Sequence, residues 1–309
     1  MNDRPVIHSR LAAPALPLST PVMPASGCFG PELADVVDAS VFGAVVTKTI
    51  FVQRRGGNSA PRLHDAGLGM LNAVGIPSPG GAAFIDEVLP RYAAMNATVI
   101  VSIGGTSVDD YAAMLQALER VEHSGITAYE VNLSCPNLDH RLGIIGATPS
   151  GVDTVVRRLR PLTARPLIAK LTPATASIVA TAQAAECAGA DAVTVCNSFP
   201  GMGIDVQSRR PVLGNVTGGL SGPAVKPLAL KLVYEAASAL GIPVIGCGGI
   251  SSVDDVLAFL IAGAASVQIG TALFSRPAAI NEIIAALPDA LQQCGARTPD
   301  DLVGTLRTG

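Results

Sequence analysis

The sequence predicts an α/β protein folded as one closed (β/α)8 barrel, a TIM barrel taking in residues 1–309 as a single domain. Three observations predict it. Eight short apolar runs alternate with helical patterns along the chain. Most of the runs are unbroken Val, Ile and Ala without in–out alternation, which is how parallel strands covered on both faces read. Polar residues gather where the runs stop: Lys48, Ser102, Asn132, Lys170 and Asn197. An open doubly wound sheet would spread those ends along a crevice, whereas a barrel collects them on one face around one site.

The candidate strands, in order, are Val22–Ala25, Gly43–Lys48, Thr98–Ile103, Ala128–Ser134, Pro166–Leu171, Ala192–Cys196, Pro243–Cys247 and Ser266–Gly270, the first being short. Helix signals stand between them. Ser107 can cap a helix whose apolar stripe is Tyr111, Met114, Leu115, Leu118 and Val121. Ser252 can cap another with Val256, Phe259 and Leu260 inside and Gly263 as its stop. The segments Ala188–Val193 and Ala262–Val267 share one plan of helix, glycine stop and buried strand, the mark of a repeated βα unit. The Gly- and Pro-rich stretch Phe199–Lys226 is expected to cross over the top of the barrel.

A chain of 309 residues would divide into two average domains, but no linker-like change of composition divides it, and barrels often run to this length. Hydrophobic residues make up 49% and charged residues 15%, and Trp is absent, so the core is expected to be aliphatic. A net charge of −3 without a basic run or acidic tail gives no sign of nucleic-acid binding. Residues Met1–Leu18 lack the long apolar stretch of a leader or anchor, so a cytoplasmic protein without membrane contact is expected. The cysteines at 28, 135, 187, 196, 247 and 294 include no C-x-x-C pair, which argues against a zinc or iron–sulfur site held by this chain alone.

The segment Asn132-Leu133-Ser134-Cys135-Pro136-Asn137 closes a buried strand with two amides flanking a cysteine. Paired Asn side chains offer donors and acceptors that can bracket a planar polar ligand, with Cys135 as base or nucleophile. On the residues alone the segment reads equally well as a buried thiol among turn-forming Asn. Gly246-Cys247-Gly248-Gly249 and Gly270-Thr271 follow the last two strands, where backbone N–H groups can hold an anion. They lack the third glycine and acidic partner of a dinucleotide loop.

Asn-x-Ser-Cys-Pro-Asn resembles the active-site segment of class 1 dihydroorotate dehydrogenases. Further segments agree in order: Pro24–Gly30, Lys48-Thr49, Gly69–Gly75, Ala169-Lys170-Leu171, Asn197-Ser198, Thr217–Pro223 and Ile269-Gly270-Thr271. The resemblance implies oxidation of dihydroorotate to orotate on FMN, in pyrimidine biosynthesis, with Cys135 taking a proton from C5 and the flavin a hydride from C6. It implies substrate contacts from Lys48, Asn72, Ala73, Val74, Gly75, Ile76, Asn132, Asn137, Asn197 and Ser198. It implies cofactor contacts from Ser26, Lys48, Thr49, Ser102, Asn132, Lys170, Cys196, Gly222, Gly248, Gly249, Gly270 and Thr271. Lys170 resembles the lysine near flavin N1, where a cation stabilises the reduced anion. A cysteine rather than a serine at the base position points to the soluble class.

Two positions depart from the family: Ser102, where Asn is more common, and the loop Leu138–Gly143. His140 in that loop reads as a surface histidine. Ser26–Gly30 and Gly218–Pro223 resemble the heteromeric, NAD-dependent type, class 1B. That type implies a homodimer of this chain joined by a subunit carrying FAD and a 2Fe–2S cluster. The alternatives are a fumarate-dependent homodimer and a dihydropyrimidine dehydrogenase-like FMN barrel, and a silent FMN-binding scaffold is the reading outside catalysis.

Overall fold

The computed structural model describes residues 9–10, 16–134 and 144–308. Eight parallel strands carry the fold: β1 (Val22–Pro24), β2 (Val45–Val46), β3 (Val99–Ile103), β4 (Ile126–Asn132), β5 (Leu167–Lys170), β6 (Ala192–Val195), β7 (Val244–Cys247) and β8 (Ser266–Ile269). They pair in the order β1-β8-β7-β6-β5-β4-β3-β2. Gly43 N donates to Val22 O at 2.9 Å and draws the two edges together, so the sheet is a nearly closed barrel.

Every expected strand is present, most trimmed by a residue or two at the ends. β2 departs most, with two residues where six were expected. Past Val46 its ladder gives way to a side chain: Ser102 N donates to Thr47 Oγ1 at 3.0 Å in place of a backbone partner.

Period-two alternation sorts each strand into a face toward the helices and a face toward the barrel axis. Met23, Ala44, Val46, Ile100, Ala128, Ile168, Ala192 and Ile245 form a fully buried apolar layer inside the barrel. Leu16 and Leu18 join it from the segment before β1, where Pro17–Leu18 pairs with Ser9–Arg10. They close the end away from the polar strand tips. Two residues further along, the inward positions turn polar: Ser102, Glu130, Lys170, Thr194 and Cys247. The interior therefore grades from hydrocarbon to hydrogen-bonding groups along the axis.

The helices form where their signals stand. Ser107 and Asp110 make a reciprocal capping box on Val108–Glu119, and Ser252 and Asp255 make another on Val253–Ile261. Tyr111, Met114, Leu115 and Leu118 are buried, while Val121 falls beyond the helix end and is half-buried. Val256, Phe259 and Leu260 are buried as expected.

The stretch after β6 is more regular than a simple crossover. Phe199–Met202 pairs with Thr217–Ser221, which pairs with Met70–Asn72, which pairs with Leu63–Asp65, all antiparallel. Strand periodicity is hard to read there because Gly201, Gly218 and Gly219 contribute no side chains to it. No helix among the described residues is long and apolar enough to cross a membrane.

Candidate active site

A cavity of about 790 Å³ opens at the C-terminal ends of the strands, within the size range of small-molecule and cofactor sites. Strand tips line it through Ala25, Lys48, Asn132, Lys170, Cys196, Cys247 and Gly270, and the antiparallel sheet contributes Met70, Asn72, Gly218 and Gly219.

The β2 and β4 tips are tied by hydroxyls and amides. Ser26 Oγ donates to Thr47 O at 2.8 Å and lies 3.2 Å from Thr49 Oγ1. Thr49 Oγ1 lies 2.9 Å from Ser102 Oγ and accepts from Asn132 Nδ2 at 3.1 Å. Tyr111, on the helix after β3, donates its hydroxyl to Asn132 O at 2.7 Å and braces the tip from outside. Ser26, Thr49 and Asn132 line the cavity. Ser102, read as a cofactor contact, does not: it is fully buried beneath Thr49, and its hydroxyl is taken up there. A shorter side chain than Asn at this inward position reaches its neighbour rather than the cavity.

Ala73, Val74, Gly75 and Ile76 form one cavity wall with Asn72. Asn72 Nδ2 donates to Gly219 O at 3.2 Å, joining two strands of the antiparallel sheet. Asn58 holds the next residues, with Nδ2 on Ala73 O and its N–H on Val74 O, both at 3.1 Å. Asn58 also lines the cavity and was missed in the sequence, where it reads as a loop residue far from the asparagine segment. Asn197 Nδ2 lies 3.4 Å from Asn132 Oδ1, and its own Oδ1 accepts from Ser198 N at 2.8 Å. Asn132, Asn197 and Ser198 thus share one wall.

Lys170 is buried at the β5 tip. Its Nζ donates to Gln268 Oε1 at 2.6 Å and lies 3.5 Å from Glu130 Oε1. Burial acts to strip its proton, but Glu130, with smaller contributions from Cys247 and Cys28, outweighs this and holds the ammonium above its ordinary pKa. Burial pushes the Cys28 thiol up to about 11, and it raises Cys196 and Cys247 as well. These three cavity thiols are therefore protonated at neutral pH. Lys48 is half-buried, and burial lowers its pKa against an opposing pull from Cys28.

The far end of the cavity is backbone. Gly222, Gly248, Gly249, Gly270 and Thr271 line it. At Gly249, φ is +74° and a Cβ would stand 2.7 Å from Lys226 N, so only glycine fits this turn. Asp255 anchors the loop from behind: its carboxylate accepts from Ser251 N at 2.8 Å and from Lys226 Nζ at 2.6 Å. Arg276, also missed in the sequence, lines this end and donates to Ser251 O at 3.1 Å. It stands beyond the last predicted strand with no motif around it.

Cys135 and Asn137, read as base and substrate ligand, lie outside the described residues, as does His140. Ser134, immediately before Cys135, lines the cavity, and its buried Oγ has no partner among the described residues. Its N–H donates to Asn132 Oδ1 at 3.1 Å, so the chain leaves β4 at the cavity edge.

A family model described as dihydroorotate dehydrogenase matches residues 11–291. The chain is 44% identical over 293 residues to a protein of Pelobacter propionicus named dihydroorotate dehydrogenase B (NAD(+)), catalytic subunit, covering 94% of this chain and 96% of that one. Proteins of the same name from Geobacter metallireducens and Halalkalibacterium halodurans are 42% and 41% identical. The alignments cover 98% and 96% of this chain, and 99% and 98% of those relatives. With a match of this extent over the barrel and every described strand tip that forms the cavity, the chain belongs to the dihydroorotate dehydrogenase family.

Proposed function

We propose that this chain oxidises dihydroorotate to orotate, with FMN as its cofactor and Cys135 as general base, in the de novo synthesis of pyrimidines. The family is flavin-dependent. The observation that carries the reading is the buried Lys170 ammonium in a cavity lined by apolar side chains together with amides, hydroxyls and glycine backbone. Those donors fit FMN. The cation suits the electron-rich N1 side of the ring, the N–H groups of Gly248, Gly249 and Thr271 suit a phosphate, and the Ser134 Oγ, without a partner among the described residues, suits a polar group in the cavity. Ser26, Thr49, Cys196, Gly222 and Gly270 complete the set that would hold it. When bound, FMN supplies the acceptor for the hydride from C6.

The chain's own groups do the rest. Asn72, Asn132, Asn137, Asn197 and Ser198 pair with the ring amides of dihydroorotate, and Lys48 with backbone of Val74–Ile76 holds the carboxylate. Cys135, as general base, would take the C5 proton. A free thiol, with a reference pKa of ~8.5, is a better base at neutral pH than a serine hydroxyl.

The relatives are named as catalytic subunits of an NAD(+)-linked enzyme, which implies a partner subunit for electron transfer. We assign that partner an FAD and a 2Fe–2S cluster, as the resemblance to the heteromeric type implies. We further assign a homodimer of this chain, a single domain over 1–309 and a cytoplasmic location. Anaerobic mixing of the FMN-loaded protein with dihydroorotate tests the core of the reading. The flavin absorbance should bleach with dihydroorotate and not with dihydrouracil; bleaching by dihydrouracil alone would move the chain to the dihydropyrimidine dehydrogenase-like reading.

A further inference from the structure

Behind the cavity wall lies a fully buried carboxylate that no substrate or cofactor role accounts for. Glu130 stands on β4 two residues before Asn132, faces the barrel axis and does not line the cavity. Its Oε2 accepts from Gln268 Nε2 at 2.5 Å and from Thr194 Oγ1 at 3.0 Å. Gln268 is held from both ends: its amide nitrogen donates to Glu130 and its oxygen accepts from Lys170 Nζ at 2.6 Å. Lys170 Nζ also stands 3.5 Å from Glu130 Oε1, so carboxylate, amide and ammonium form one buried chain. Gln268 faces Lys170 with its oxygen and Glu130 with its NH2, whereas a flipped amide would set its NH2 against Nζ.

Among the described residues, the other titratable groups that face Lys170 are the thiols of Cys28 and Cys247, with Cys196 beside Cys247 and Lys48 beyond Cys28. Burial keeps all three thiols protonated. Glu130 is thus the full negative charge that balances Lys170 among the described residues. A buried ammonium stripped of its counter-ion sheds its proton rather than remain charged.

We propose that Glu130, acting through Gln268, is a positioning residue that holds the Lys170 ammonium charged at the cavity wall and so sets the reduction potential of the flavin bound there. The inference rests on the FMN reading above. The sign of the effect makes it testable. Removing a negative charge near a flavin favours the reduced anion by simple electrostatics. If Glu130 instead maintains the Lys170 proton, its removal does the opposite.

The experiment uses FMN-loaded wild type, Glu130→Gln, Lys170→Gln and the double variant. It measures flavin content, reduction potential and sulfite affinity between pH 6 and 9. Sulfite adds at flavin N5, places negative charge on the N1 side and reports the local cation without turnover. In Glu130→Gln the sulfite dissociation constant should rise at least about tenfold at pH 8, and the deficit should shrink toward pH 6 as Lys170 regains its proton. The potential should fall by about 30 mV for each tenfold in the two-electron equilibrium. In the Lys170→Gln background the Glu130 change should produce no further fall. If Glu130→Gln does not retain flavin, Gln268→Met is measured instead, with a fall of the same sign and about threefold size.

An unchanged or raised potential in Glu130→Gln overturns the inference, as does a fall that persists without Lys170 or a wild-type potential in Gln268→Met. A wild-type protein that takes up no FMN overturns the functional reading itself, which separates the two failures.

Discussion

Asn132 Nδ2 donates to Thr49 Oγ1 at 3.1 Å, joining the tips of β4 and β2 across β3. The same oxygen stands 2.9 Å from Ser102 Oγ and 3.2 Å from Ser26 Oγ. One hydroxyl offers one proton and two lone pairs, so three partners saturate it. Thr49→Val keeps the shape and removes all three bonds, stranding groups that are buried or half-buried. The expected loss is about 1–3 kcal/mol, read as a drop of several degrees in the thermal unfolding midpoint. Thr49→Ser should stay near wild type, and equal midpoints for Val and wild type would show that the hub carries no stability.

Cys135 is the next residue in sequence after Ser134, which lines the cavity, and its assigned role is proton removal from C5. Cys135→Ala should retain FMN but slow flavin reduction by dihydroorotate at least about a hundredfold, the scale of a lost general base. Cys135→Ser should recover part of the rate as pH rises. Stopped-flow bleaching measures both, and an Ala variant within a few-fold of wild type would remove the assignment.

Asp255 links stability to the glycine loop that lines the far end of the cavity. Burial pushes its carboxyl up, but Lys226 and the Ser251 N–H and hydroxyl outweigh this and hold it below the ordinary range. A carboxyl lowered in this way stabilises the fold above its unfolded value of ~3.9 and loses that contribution as pH falls through the folded pKa. Asp255→Asn should therefore destabilise the fold at pH 7 by on the order of 1 kcal/mol, the cost of a lost helix cap, read as a lower unfolding midpoint. The gap to wild type should begin to narrow below about pH 4 and close as pH falls through the lowered folded pKa. FMN retention should fall at pH 7, because the capping box and the Ser251 contacts share one carboxylate. A gap that persists unchanged at pH 3 would show that charge is not the cause.

Electron exit is assigned to a partner. The isolated chain should reduce its own flavin with dihydroorotate and pass electrons to small artificial acceptors, yet reduce NAD only after an FAD- and iron–sulfur-containing subunit is added. Steady NAD reduction by the chain alone would defeat this. Efficient turnover with fumarate would instead place the protein with the homodimeric type.

Hydrophobic patterning was enough to find all eight barrel strands, because a strand buried on both faces must be apolar throughout. Capping chemistry was enough to place Ser107 and Ser252, since the bonds that cap a helix are made within four residues of sequence. The strand-end polar residues announced a site on one face, and the asparagine, lysine and glycine positions within the described residues do meet in one cavity. What local sequence could not supply is the partner of each group. Ser102 turns to Thr49 and away from the cavity, Asn58 and Arg276 reach it from loops without a motif, and Glu130 looks like one more residue of an apolar strand. Glu130 and Gln268 lie 138 positions apart in the chain and meet only when the barrel closes. Closure decides which inward side chains face each other across the axis, and in that dry interior a charge is tolerated only where its counter-charge has been brought to meet it.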